Sequence, residues 1–127
     1  MITIEELNPH KLIVTPEIES NLNELLIRMN KIRALWGKPM IVTSGLRSKE
    51  LQSELIKVGK STAYASRHLT GQACDIFDPH KDLANWCLLN AHFLGENNLW
   101  CEDPSYCSNW THFQSVPPKS GKRFFIP

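Results

Sequence analysis

Ser66-Arg67-His68-Leu69-Thr70-Gly71-Gln72-Ala73-Cys74-Asp75 is the stretch from which the rest of the chain is read. It sets an imidazole and a carboxylate seven residues apart, with the small Gly71 between them. Both groups are ligand types that Zn²⁺ accepts. A third ligand is offered by His112, which stands in a strand-like setting, Trp110-Thr111-His112-Phe113-Gln114. Two His and one carboxylate leave a fourth tetrahedral position for water, the layout of a catalytic rather than a structural zinc. Spacing alone is a weak signal, because a His and an Asp this far apart recur by chance. The neighbouring segments carry the weight.

A chain of 127 residues can bury its own core, and a single domain over residues 1–127 is expected. The formal net charge of +1 gives no support for nucleic acid as a partner or for bulk attraction to membranes. No apolar run reaches the length of a bilayer span, and no basic-then-apolar leader opens the sequence. The expectation is therefore a monomer made in the cytoplasm, without membrane insertion. Of the four cysteines, Cys74 and Cys87 read as small buried hydrophobes. Cys101 and Cys107 bracket a loop and could pair in an oxidising compartment, but nothing marks one, and free thiols are expected.

Thr3 to Leu7 reads as the start of a short helix stopped by Pro9. Thr15 as cap, Pro16 at the first helical position and Glu17 and Glu19 in the first turn announce a long one. Ile18, Leu22, Leu25, Leu26, Met29, Ile32 and Trp36 recur at helical spacing before Gly37 and Pro39 end it. Met40–Thr43 reads as a strand, and Ser44-Gly45-Leu46-Arg47-Ser48 as a turn. Ser48 caps a second helix with Leu51, Leu55 and Val58 on one face, stopped by Gly59. Residues 60–66 read as a polar loop and Ala73–Phe77 as a strand. Asp78-Pro79 reads as the cap and first turn of a third helix running to Leu94. Asn98–Glu102 and Trp110–Gln114 are predicted to form an antiparallel hairpin. The fold expected is α+β, a small antiparallel sheet packed against helices.

Strand parity makes the hairpin informative. Trp100, Glu102, Trp110, His112 and Gln114 share one face. If Glu102 lies opposite Trp110 it is diagonal to His112, about 7–8 Å away between backbones, where a carboxylate can work on water held beside that histidine. Asp103 and Asn109 are off-phase. On its own Glu102 also reads as a solvated acid at a hairpin mouth. Arg47, just past a strand, could bind a carboxylate or a developing oxyanion, and equally reads as a surface or helix-start arginine.

Taken together, Ser44-Gly45-Leu46-Arg47-Ser48, then Ser66-x-His68-Leu69-x-Gly71-x-Ala73-x-Asp75-Ile76, then Trp110-x-His112 resembles the M15 metallopeptidases. The likeness is to the D-Ala-D-Ala carboxypeptidase-like branch that includes single-domain phage endolysins, over roughly residues 12–115. The resemblance implies the fold shared by DD-peptidases and the Hedgehog signalling domain, with Zn²⁺ held by His68, Asp75 and His112. It further implies Glu102 as catalytic acid–base, Arg47 on the substrate side and the Ser66 of Ser-x-His beside it. Some members carry the acid three residues before the last histidine, where this chain has Asn109. An amide cannot accept a proton there, so activity would depend on Glu102.

The function this implies is zinc-dependent hydrolysis of peptidoglycan stem peptides, as a D-Ala-D-Ala carboxypeptidase or an L-alanyl-D-glutamate endopeptidase. A phage pore protein would be one route from the cytoplasm to the wall. The alternatives are a catalytically silent zinc-binding domain, favoured by Asn109, and a phage structural component that keeps the fold.

Overall fold

Thr15 and Gly37 bracket the longest helix of the computed structural model, which describes residues 1–59 and 66–127. The polar loop expected over 60–66 therefore lies, apart from Ser66, outside the described residues. A short α1 (Ile4–Leu7) precedes the long helix and is closed by a capping box between Thr3 and Glu6. The long helix is α2 (Pro16–Trp36). Thr15 accepts the Ile18 N–H at its start, and Gly37 ends it at φ +79°, a backbone region open to glycine. Leu22, Leu25, Met29 and Ile32 recur on one face and are buried. They meet Leu7, Ile76, Leu83, Leu94, Leu99 and Phe113 in one core, each contributing about 1.5–3 kcal/mol by leaving water.

The sheet has five strands in the order β1-β2-β4-β3-β5. These are β1 (Val42–Ser44), β2 (Ala73–Phe77), β3 (Trp100–Glu102), β4 (Trp110–Gln114) and β5 (Phe124–Phe125). All neighbours pair antiparallel except β3 and β5, which run parallel, so the sheet is mixed rather than antiparallel as expected. Cys101 N–H donates to Arg123 O and Asp103 N–H to Phe125 O, and these bonds bring the tail into the sheet.

Four elements differ from the sequence expectation. First, β1 begins at Val42 and reaches Ser44. Val42 pairs with Ile76 and Ser44 with Asp75, so one extra residue, Thr43, bulges the strand beside the site. Second, α3 (Lys49–Lys57) starts at its Ser48 cap as expected, but buries Gln52 and leaves Val58 63% exposed. Third, the helix expected from Asp78 to Leu94 is two helices, α4 (Asp82–Leu89) and α5 (Ala91–Glu96). Asn90 breaks it: its side-chain amide donates to Trp86 O, and its backbone leaves the helical region. Asp78 still caps, from a distance, its carboxylate accepting the Leu83 and Ala84 N–H groups and the Thr111 hydroxyl. Fourth, β3 starts at Trp100, because Asn98 sits at φ +51°.

Alternation gives the sheet two unlike faces. Cys74, Ile76, Cys101 and Phe113 turn into the core and are essentially inaccessible. The residues between them turn the other way.

Candidate metal centre

Asp75 and His112 are direct partners in the β2–β4 ladder, so their side chains leave the same face side by side. His68 arrives from a 3₁₀ turn, Arg67–Thr70, which is capped at one end by Ser66 Oγ accepting the His68 N–H. Gly71 closes the other end at φ +73°. A Cβ on Gly71 would meet Leu22 Cγ at 2.9 Å, so α2 packs against a turn that admits only glycine. Asn21 of α2 also donates to Thr70 O.

His68, Asp75 and His112 thus converge, their ligand atoms all within 4.8 Å of one another. His68 Nε2 lies 3.4 Å from Asp75 Oδ1, and His112 Nδ1 lies 2.8 Å from the same oxygen. His68 and Asp75 are buried and His112 is partly so.

The remaining polar atoms fix which lone pairs face inward. His68 Nδ1 lies 2.8 Å from Gly45 O, which can only accept, so the proton sits on Nδ1 and the Nε2 lone pair faces the cluster. Gln114 donates from its own amide nitrogen to Val116 O and turns Oε1 toward His112 Nε2 at 3.0 Å. That acceptor holds a proton on Nε2 and assigns Nδ1 to the site. Asp75 Oδ2 faces the Arg47 guanidinium at 3.4 Å, and Arg47 also donates to Ser44 Oγ and Gln52 Oε1. Arg47 N–H bonds His68 O, and Leu46 N–H bonds Leu7 O. The turn at 44–47 is therefore fastened to both α1 and the histidine it orients.

Charge follows this geometry. Burial alone would raise the Asp75 carboxyl, but without a metal the imidazolium forms of His112 and His68, protonated at the inward nitrogens as well, donate to it and hold it well below the usual carboxylate range. Burial lowers His68, only partly offset by Asp75. His112 ends raised: burial pulls it down, but Asp75 and Gln114, acceptors at both ring nitrogens, pull it up further.

Such a donor set fits a four-coordinate ion. Bonds of 2.0–2.2 Å to nitrogen and oxygen require donors about 3.3 Å apart, close to the His68–Asp75 distance, and the 2.8 Å His112–Asp75 pair would open by about 0.5 Å to admit the ion. Each histidine also carries the outer hydrogen bond that metal-binding imidazoles ordinarily show.

A family model for peptidase M15 matches residues 2–95. The chain belongs to the peptidase M15 family. The M15 match includes Arg47, Ser66, His68 and Asp75 and stops short of Glu102 and His112. The fold is also similar to the crystal structure of the Serratia marcescens L-Ala D-Glu endopeptidase ChiX. The two share 26% identity over 87% of this chain and 95% of that one, with a TM-score of 0.59. No curated protein matches. M15 peptidases are metallopeptidases, and His68, Asp75 and His112 are, among the described residues, the group able to hold an ion.

The other expected residues of this M15 peptidase fall as follows. Trp100 pairs with Gln114 and Cys101 with Phe113, a register that brings Glu102 level with His112 rather than diagonal to it. Glu102 is half-buried. Burial raises its carboxyl, against the attraction of His112 and a hydrogen bond from Cys107 Sγ, which lies 3.3 Å from Oε2. Burial and the Glu102 charge push the Cys107 thiol up to about 12, so it is the donor. Asp103 is turned away and bonded to Ser105 N–H and Oγ–H. Asn109 is exposed, and its carbonyl accepts the Asp78 N–H. All four cysteines are free.

Sequence reasoning set Gln114 on the face of His112 but gave it no role, and it assigned none to Gly45 O or to Cys107. Gly45 O and Cys107 are placed by loop geometry, which leaves no sequence signal. Among the described residues no helix is long and apolar enough to cross a membrane.

Proposed function

We propose that this chain is a zinc-dependent peptidase that hydrolyses peptidoglycan stem peptides at the L-Ala–D-Glu bond. The observation that carries the reading is the convergence of His68 Nε2, His112 Nδ1 and Asp75 Oδ1, the two imidazoles with their protons directed outward to Gly45 O and Gln114 Oε1 and the carboxylate facing the Arg47 guanidinium. Two imidazoles and a carboxylate are the composition of catalytic rather than structural zinc sites. The choice of bond is supported by the likeness to the Serratia endopeptidase. Zinc held there supplies a Lewis acid and a water acidified toward neutrality.

Glu102 has the place and the environment of the general base. It is level with His112 on the ligand face, and burial makes it a stronger base than a solvated carboxylate. It takes the proton from water and returns it to the leaving amine. Arg47 faces the second Asp75 oxygen, Oδ2, at 3.4 Å and leaves Oδ1 for the ion. Following the family pattern, we assign Arg47 and Ser66 to the substrate side.

The test is digestion of purified peptidoglycan by the zinc-loaded protein, with and without chelator, read by mass spectrometry. Cleavage at L-Ala–D-Glu is expected to expose a new amino group on the glutamyl residue. Release of free alanine instead would make the chain a D-Ala-D-Ala carboxypeptidase. Glu102→Gln is expected to keep its zinc and lose about 10²–10⁴-fold in turnover. A competing reading, a silent metal-binding domain, is favoured by Asn109. Absence of any cleavage by fully zinc-loaded protein would establish it.

A further inference from the structure

The loop between β3 and β4 brings a buried thiol against the acid of the site. Cys107 is 6% exposed, and its Sγ is 3.3 Å from Glu102 Oε2. Its backbone is fixed at both ends of the residue. Cys107 N–H donates to Pro104 O at 3.1 Å, and Lys81 Nζ donates to Cys107 O at 2.7 Å. The same ammonium reaches Trp110 O at 3.0 Å, so it clamps the loop to the start of β4. Lys81 holds this position from φ +61°, a conformation uncommon outside glycine that persists where surrounding contacts over-determine it. The clamp holds the backbone of residue 107 in place, and it is the thiol that meets the carboxylate.

We infer that Cys107 is a positioning residue for Glu102. Its S–H donates to Oε2 and fixes the carboxylate's orientation, leaving Oε1 as the oxygen that takes the proton. This rests on the reading of Glu102 as the general base. A thiol is a weak donor, so the effect is one of alignment, and misalignment of a reacting group is costly in rate.

The experiment has a kinetic arm and a spectroscopic arm, both on the full chain. With zinc bound, Cys107→Ala is expected to lower kcat about 3- to 30-fold, with KM and zinc content unchanged. Cys107→Ser, which keeps a donor, should restore most of the loss. In a Glu102→Gln background Cys107→Ala should cost nothing further, because the two act as one unit. Losses that add in the double variant, or an unchanged kcat in Cys107→Ala, would overturn the inference.

The second arm needs no activity. The infrared S–H stretch of Cys107, isolated by subtracting the spectrum of Cys107→Ser, should move to higher frequency in Glu102→Leu. A band that stays in place overturns the inference even if the enzyme is active. If the wild-type protein cleaves nothing, the functional reading fails, and this band still decides whether the thiol holds Glu102. Should Cys107→Ala not fold, Cys107→Ser and Glu102→Leu carry the test without it.

Discussion

At the scale of single residues, the site depends on where protons sit as much as on where ligands sit. Gln114 touches no ligand atom in the cluster, yet its Oε1 decides which nitrogen of His112 keeps its hydrogen. Gln114→Leu is therefore expected to leave the fold intact and weaken zinc binding by about 10–100-fold, measured by competition with a chromophoric chelator. His68→Ala should abolish stoichiometric metal altogether; a variant that retains it by elemental analysis would remove His68 from the ligand set. Gly45 is constrained for a different reason. A Cβ there would overlap the Leu7 carbonyl, which accepts the Leu46 N–H. Gly45→Ala is expected to cost on the order of 2 kcal/mol or more and to lower metal affinity with it, since relieving the overlap shifts residue 45, whose own carbonyl is the one His68 Nδ1 bonds.

Among the elements, those whose signals are local were legible in the sequence and those made by distant partners were not. Thr15, Pro16, Gly37 and a regular apolar face lie within one stretch, and α2 has the bounds they indicate. The strands bearing Asp75 and His112 were legible from pattern, and with them the ligand face. By contrast, β5 is two residues long and exists because β3 offers an open edge, so Phe124-Phe125 alone says little. The register that sets Glu102 level with His112 depends on the 3₁₀ turn Pro104–Tyr106, which Asp103 caps. Asp78 was readable as a cap but not as one that reaches Leu83 and Ala84 while also holding Thr111 of β4. Asp78→Ala removes all three bonds and should destabilise the protein by about 2–3 kcal/mol, seen as a lower denaturation midpoint with an unchanged slope.

For the whole molecule, the proposed metal would compete with protons for one place, and this sets how stability is expected to respond to pH. In chelated protein the folded value of His112 lies above the ordinary histidine value near 6.5. Its contribution is therefore complete below about 6.5 and lost as pH rises through the folded value. His68 lies below that value, so its contribution is present above about 6.5 and lost as pH falls toward the folded value. The Tm difference between wild type and His112→Gln, both chelated, should shrink as pH is raised from about 6 to 9, whereas zinc should sustain it. A difference that grows with pH in chelator would mean that His112 carries no proton in the free protein. The two-faced sheet has a consequence for how such a protein can change over generations. Along β2 and β4, Asp75 and His112 on one face answer to chemistry, and the apolar Cys74, Ile76 and Phe113 on the other answer to volume. A lineage can therefore drift at Cys74, Ile76 and Phe113, exchanging one apolar shape for another, while Asp75 and His112 stay fixed between them. A library randomised at those three core positions should yield many active sequences, and one randomised at the two ligands almost none.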